Sequence, residues 1–252
     1  MRKINVKILN PNSITDSIKM MVATARLTQR GHQISTLQDF EHLYNTSYLQ
    51  DTVKYLTNLP HPTIQKFGVI NIVVVGASRR FLAQITRHQN EVKFMSASLQ
   101  YSNYSDDNDF VIPYNILKLG KQYEQNYIDF CKSIMNKYKE FNEQGLDNDS
   151  CGYIAPQSLR NILIISATPY QWKHMISQRT CKRNTDETRY VMLLIWKQLY
   201  ELSPEFFSNK TTGPSCCKEG KMSCNKPYDK NITPDDILKQ EFSLCYEVNK
   251  NV

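Results

Sequence analysis

The chain has 252 residues, 40% of them hydrophobic and 11% aromatic, which excludes a disordered polypeptide and provides enough apolar surface for a core without staples. Its net charge of +7 suits an anionic ligand such as a nucleotide, weak nucleic-acid affinity or solubility alone, but the basic residues sit in two separated clusters rather than in a tail. One cluster surrounds Arg79, Arg80, Arg87 and Lys93 and the other runs from Lys173 to Arg189, so the pair fits convergence on one anion better than a nucleic-acid stripe.

The N-terminal MRKINVKILN alternates like a strand and lacks the pattern of a signal peptide. Residues 69–77, the most apolar run, are far shorter than the roughly 20 residues of a membrane helix. A soluble, cytoplasmic protein is the expectation. Seven cysteines, an odd number, read as free thiols in a reducing compartment.

After the first strand, NPNS starts a helix that Ser13 can cap, with Ile14, Ile18, Met21, Val22 and Ala25 at helical spacing up to Gly31. A second helical region spans about 37–56, with an irregularity at residues 45–47, and Pro60 and Pro62 end it. Residues 66–77, KFGVINIVVVGA, predict a buried strand that feeds a helix, SRRFLAQITRH. A polar loop carrying Asn90, Glu91 and Lys93 is expected next, and then an acidic loop, DDND, with a short extended piece. Between residues 120 and 141 the spacing of Tyr123, Tyr127, Phe130, Ile134, Tyr138 and Phe141 predicts a helix whose aromatic stripe faces the core or a subunit interface. NILIISA, residues 161–167, predicts a second buried strand. Thr168 and Pro169 then open a helix with Trp172, Met175 and Ile176 inward and Lys173, His174 and Arg179 free to point elsewhere. Asn184 with Glu187 predicts a capping pair for an apolar helix to about Leu202. The pattern is α+β: a small β-sheet packed by long helices, in one domain over residues 1–208, with a cysteine-containing extension over 209–252.

Residues 87–102, RHQNEVKFMSASLQYS, have two readings. They form a cationic helix end followed by a solvated loop, or a ligand site in which Arg87 and His88 face the hydroxyl and amide groups of Ser96, Ser98, Gln100 and Tyr101.

Gln84, Arg87, His88 and Gln89, followed by Ser98 and Tyr101, resemble the signature of the flavin-dependent thymidylate synthases. Downstream, Ala155–Pro156, the helix ending in Arg179, the segment RTCKRNTDETR and the tail TTGPSCCKEGKMSC are similar to the second half of that family. The resemblance covers about residues 26–224. It implies the family's fold and a homotetramer that binds FAD and a pyrimidine nucleotide at subunit junctions. NADPH would reduce the flavin, and methylenetetrahydrofolate would supply the one-carbon unit placed on C5 of dUMP. None of the cysteines need be catalytic.

The resemblance also assigns roles. Arg87, His88 and Gln89 fall on FAD positions, as do Thr63 (with His61 before it), Thr168, Tyr170 and His174. Gln84 and Arg87 fall on nucleotide-contacting positions, Ser96, Ala97, Ser98, Leu99 and Gln100 on the loop that cradles the nucleotide phosphate, and Arg179 on the arginine that polarises the pyrimidine. Four positions depart from the family's arginines: Gln89, Gln100, Gly152 and Tyr170. Ser96 also replaces an acidic residue, and the loop is one residue longer. Each bidentate arginine lost removes roughly 1.5–3 kcal/mol of charge-assisted bonding unless Lys93, Lys182 or Arg183 takes its place. A non-catalytic or altered-specificity paralogue is therefore the alternative.

Two weaker readings remain. Cys216, Cys217 and Cys224, with Cys245, could bind zinc, although their spacing is not the paired CxxC pattern. Basic charge with many tyrosines could serve single-stranded nucleic acid, but no recognised motif accompanies it.

Overall fold

The computed structural model describes residues 1, 3–46, 50–59, 61–214, 226–229 and 231–250, with side chains to residue 247. In chain order the elements are β1 (Asn5–Ile8), α1 (Asn12–Arg30), α2 (Leu37–Asn45), α3 (Gln50–Thr57), β2 (Ile70–Ser78), α4 (Arg79–Ile85), β3 (Val92–Ser96), α5 (Tyr114–Leu119) and α6 (Lys121–Glu143). There follow α7 (Asn148–Gly152), β4 (Arg160–Ala167), α8 (Pro169–Arg179), α9 (Asp186–Leu202), α10 (Asn209–Thr212), α11 (Pro234–Glu241) and α12 (Ser243–Lys250). Short 3-10 turns occupy Gly31–Gln33 and Pro62–Lys66. The α+β expectation therefore holds: a small sheet carries long helices.

The four strands run in the order β1-β2-β4-β3, and every neighbouring pair is antiparallel. This corrects the reading of residues 66–77 and 161–167 as strands buried throughout. Antiparallel strands need only one packed face, and burial alternates along both. Ile70, Ile72, Val74, Leu163 and Ile165 enter the core, whereas Val75, Ile162 and Ile164 are 44%, 46% and 42% exposed. The polar loop expected after His88 is in fact partly strand β3, where Val92 and Phe94 lean on the core and Lys93 and Met95 face out. Its register on β4 pairs Val92 with Ala167 and Ser96 with Leu163. At Gly76 a bulge shifts the β2–β4 register, and φ of +83° there suits only glycine. A side chain would also meet the Lys3 carbonyl at 2.8 Å.

The helical expectations carry through with local corrections. Ile14, Ile18, Met21 and Val22 of α1 are buried, but its N-terminus has no side-chain cap, because the Ser13 hydroxyl donates to the Asn10 carbonyl instead. The second helical region is two helices, α2 and α3; the serine of the expected irregularity and Pro60 lie outside the described residues. The α6 stripe is divided: Tyr138 is buried with Cys131 and Met135, while Tyr123 and Phe130 are 55% and 66% exposed. Thr168 caps α8 by accepting from the Gln171 amide, and Pro169 is its first residue. Trp172, Met175 and Ile176 are fully buried, each contributing roughly 1.5–3 kcal/mol of transfer free energy. The Trp172 indole donates to the Ile70 carbonyl at 3.0 Å, which satisfies its polar edge.

The Asn184–Glu187 capping pair is overturned. Helix α9 begins at Asp186, and the Glu187 carboxylate crosses to Ser78, accepting from its amide at 2.7 Å and from its hydroxyl. Ser78 in turn caps α4 by accepting from the Phe81 amide. The sheet-to-helix corner that carries Gln84 is therefore tied to α9. Beyond α10, Ile237, Leu238, Phe242, Cys245 and Tyr246 are buried in the same main cluster as α1, α8 and α9.

Candidate functional site

Helix α4 ends at Ile85, and the chain turns through Arg87 and His88 before entering β3. Helix α8 returns from the sheet with His174 on one turn and Arg179 at its last position. Packing of these two segments brings His88 and Arg179 together across 91 residues of sequence: the Arg179 Nε donates to the His88 Nε2 at 2.8 Å. His174 stands edge-on to His88 with ring centroids 6.0 Å apart.

An imidazole that accepts from a guanidinium must be neutral at that nitrogen. His88 is 7% exposed; burial, then the charges of Arg179 and His174, bring its pKa down to about 4. Partial burial lowers that of His174 as well. Arg179 is held on its other side by Asn184, whose Oδ1 accepts from Nη1 at 3.3 Å and whose side-chain amide donates to the Gln178 and Cys181 carbonyls. Burial, and then Arg87, push the Arg179 guanidinium below its ordinary pKa. Among the described residues neither arginine has a carboxylate partner. Two neighbouring guanidiniums without a counter-charge form a site for an anion or an electron-rich carbonyl.

Gln84 adjoins this pair: its Oε1 accepts from the hydroxyls of Thr185 and Thr188. The bonds at the oxygen fix the orientation of the amide and leave its NH2 end without a hydrogen bond among the described residues. Asn184 and Thr185 also line a cleft of about 510 Å³ together with Arg80, Tyr127, Asp186 and Glu187.

A second group gathers where β3 begins and β4 ends, on the α8 side. Glu91, at φ of +56°, pairs with Lys66 at 2.7 Å and accepts from the Thr168 hydroxyl at 3.2 Å. Lys66 lies 5.6 Å from the Tyr170 ring centre. Thr63 and His61 are exposed on the turn that delivers Lys66, and Gln89 is exposed beyond His88. Tyr170 and His174 line a cleft of about 360 Å³ with Asn58, Gln65, Lys173 and Lys210. Lys173 does not point away as expected: it is 7% exposed, donates to the Gln65 Oε1 at 2.9 Å, and burial takes its pKa down to about 8. Among the described residues no carboxylate lines this cleft.

The loop of residues 96–100 does not join either group within the chain. Ser96 ends β3, the Ala97 amide donates to the Ile162 carbonyl, and the Gln100 amide donates to the Ser98 hydroxyl at 3.1 Å. Leu99 packs so closely on Gly152 that a Cβ there would sit 3.2 Å from the leucine. Among the described residues no hydrogen bond connects this loop to His88 or Arg179.

Sequence reasoning missed the Glu187–Ser78 tie, the Asn184 support of Arg179, and the Lys66–Glu91–Thr168 chain. For Glu187 a signal existed, but its spacing from Asn184 matched a capping rule. No local pattern marks the others, since their partners are distant in sequence. Cys216, Cys217 and Cys224 lie outside the described residues. Among those described, no three potential ligands cluster for a metal, and no helix is long and apolar enough to cross a membrane.

Residues 12–205 match the family model described as thymidylate synthase complementing protein. A flavin-dependent thymidylate synthase of Thermococcus onnurineus is 25% identical over 175 residues, covering 64% of this chain and 69% of that protein. Two solved structures share the fold. A UMP/dUMP methylase, PolB, from Streptomyces cacaoi with 5-Br dUMP has a TM-score of 0.62 at 15% identity, over 82% of this chain and 94% of that one. Thymidylate synthase X from Helicobacter pylori with FAD and dUMP has a TM-score of 0.61 at 13% identity, over 82% of this chain and 98% of that one. This chain belongs to the thymidylate synthase complementing protein family, that of the flavin-dependent thymidylate synthases.

Proposed function

We propose that the protein methylates a uracil nucleotide at C5, most simply dUMP to dTMP, with FAD, NADPH and methylenetetrahydrofolate, in a synthase domain of residues 1–208. The observation that carries this reading is the uncompensated Arg87–Arg179 pair, with Arg179 aimed by His88 and Asn184 and with Gln84 beside it. In the proposed role the Arg179 guanidinium donates to the pyrimidine carbonyl and favours the ring's ionised form, a task for a permanent, planar cation. Neutral His88 holds that cation in place without competing for the ligand's negative charge. The Gln84 amide, anchored at its oxygen, donates to the nucleotide from its nitrogen end.

The chemistry of the donor set suits FAD. Lys173, Lys210 and His174 line a cleft free of carboxylates among the described residues, which favours a diphosphate, and Tyr170 offers a ring face beside them. Thr63, Thr168 and Gln89 would add hydroxyl and amide contacts. When bound, FAD supplies the hydride that turns the one-carbon unit into a methyl group.

Among the described residues no hydrogen bond ties the loop of residues 96–100 to Arg179, so in this reading it serves a nucleotide held mainly by another subunit. The open sheet face of Val75, Met95, Ile162 and Ile164, and the exposed Tyr123 and Phe130, support self-association, and we assign a homotetramer. Buried free thiols at Cys131, Cys151 and Cys181 suit the cytoplasm.

A second reading, altered specificity or binding without turnover, is favoured by Gln89, Gln100, Gly152 and Tyr170 standing where the family uses arginine. Melting temperatures with FAD and then dUMP, UMP or dCMP, together with nucleotide-dependent NADPH oxidation, test both, since a ligand of the native state raises stability by mass action. A colourless protein that shifts with no flavin or nucleotide sinks the proposal; binding without product leaves the second reading.

A further inference from the structure

The family match ends at residue 205, yet the chain continues, and its described C-terminal segment reaches the loop that follows Arg179. That loop, residues 180–185, contains Asn184, which holds the Arg179 guanidinium. Two of its contacts are made directly to groups that α11 and the residues before it supply, and a third runs through Arg189 of α9. The Arg189 side chain donates to the Thr180 carbonyl at 3.4 Å and pairs with Asp186 at 3.7 Å. The same guanidinium is gripped by Glu241 and by the Tyr228 hydroxyl, which itself donates to Glu241 at 2.9 Å. Lys182, inside the loop, lies 3.5 Å from Glu241 and 4.1 Å from the centre of the Tyr228 ring.

Glu241 and Tyr228 thus fix Arg189, which fixes one end of the loop, and they hold Lys182 in its middle. Anchoring of the segment does not depend on these polar contacts. Ile237, Leu238, Phe242 and Cys245 are at most 1% exposed, and Phe242 packs on Tyr114 and Tyr190. Removing one carboxylate should therefore leave α11 docked and loosen only what it grips.

We propose that the C-terminal segment is a brace for the nucleotide site, in which Glu241 and Tyr228 are positioning residues that act through Arg189 and Lys182 on the loop carrying Asn184, and so on Arg179. The link to nucleotide binding rests on the function proposed above. The bracing itself does not, and the two are separable by experiment.

The full-length protein, as wild type, Glu241→Ala and Tyr228→Phe, is compared by hydrogen exchange without nucleotide and by calorimetry with dUMP after saturation with FAD. The Asn184 amide, which donates to the Cys181 carbonyl at 3.0 Å, reports the loop. Its exchange should accelerate by about tenfold in Glu241→Ala and less in Tyr228→Phe, with β2 and β4 unchanged. The dUMP dissociation constant should rise by about tenfold while FAD affinity holds. Should Glu241→Ala fail to fold, Tyr228→Phe, which keeps the ring beneath Lys182, decides. Loop exchange at the wild-type rate in a folded variant overturns the brace, and so does faster exchange with unchanged dUMP affinity. If wild type binds no uracil nucleotide while FAD is bound, the proposed function fails and the exchange result alone decides the brace.

Discussion

Arg179 donates through Nε to the Nε2 of His88 at 2.8 Å, so the one cation assigned to the pyrimidine is aimed by a histidine that must stay neutral to aim it. Arg179→Ala removes the donor and should weaken dUMP binding by roughly 1.5–3 kcal/mol, on the order of ten- to a hundredfold, with turnover falling further. Arg179→Lys keeps a charge but cannot bond His88 and a carbonyl with one planar fork, so it should recover little. Calorimetry with dUMP checks both, and wild-type affinity in Arg179→Ala would refute the role.

The same contact sets a pH dependence. The folded-state pKa of His88, about 4, lies below its ordinary 6.5, so between these values the unfolded chain takes up a proton that the folded one refuses. Stability from this group is complete above about pH 6.5 and is lost as pH falls towards 4. His174, also lowered, adds to the same limb. His88→Gln retains an acceptor for Arg179 and does not titrate, so the drop in melting temperature from pH 7 to pH 4 should be smaller than in wild type. Parallel curves for the two proteins would show that His88 titrates normally.

At the Ser78 corner, burial pushes the Glu187 carboxyl above its usual range against the opposing pull of two hydrogen bonds from Ser78. Glu187→Leu leaves the Ser78 amide without its acceptor in a dry place, which should cost about 1–3 kcal/mol in urea unfolding. Glu187→Gln keeps one acceptor and should cost less. Equal stability of Glu187→Leu and wild type would mean that the corner is held by packing alone.

What the sequence revealed and what it hid follow from the range of each interaction. Thr168–Pro169 announces a helix start because cap and first turn are adjacent, and the buried Trp172, Met175 and Ile176 follow from one helical period. Strand β3 was hidden in a stretch rich in polar groups. VKFMS does alternate, but an edge strand this short has little apolar surface to declare itself. The family motif located Gln84, His88 and Arg179, yet the hydrogen bond between the last two spans 91 residues and arises only from packing of α8 beside the turn after α4. Glu187 matched a local rule and obeyed a distant partner 109 residues away.

The replaced arginines near the phosphate loop can be tested separately, because their surroundings differ. Gln100 is exposed, and its backbone amide already donates to the Ser98 hydroxyl, so the loop's shape does not require its side chain. Gln100→Arg would add a planar cation beside the hydroxyl assigned to the phosphate and should tighten dUMP by about 1.5 kcal/mol, on the order of tenfold. Gly152 is different. A Cβ there would lie 3.2 Å and 3.3 Å from two Leu99 carbons, so Gly152→Arg must displace the leucine and with it the middle of the loop. It should weaken dUMP binding even though it restores the family's residue. The gain from Gln100→Arg should also shrink as salt rises, because an exposed charge pair is screened. Calorimetry at two ionic strengths reads both effects, and an unchanged dissociation constant in Gln100→Arg would place the phosphate away from this loop.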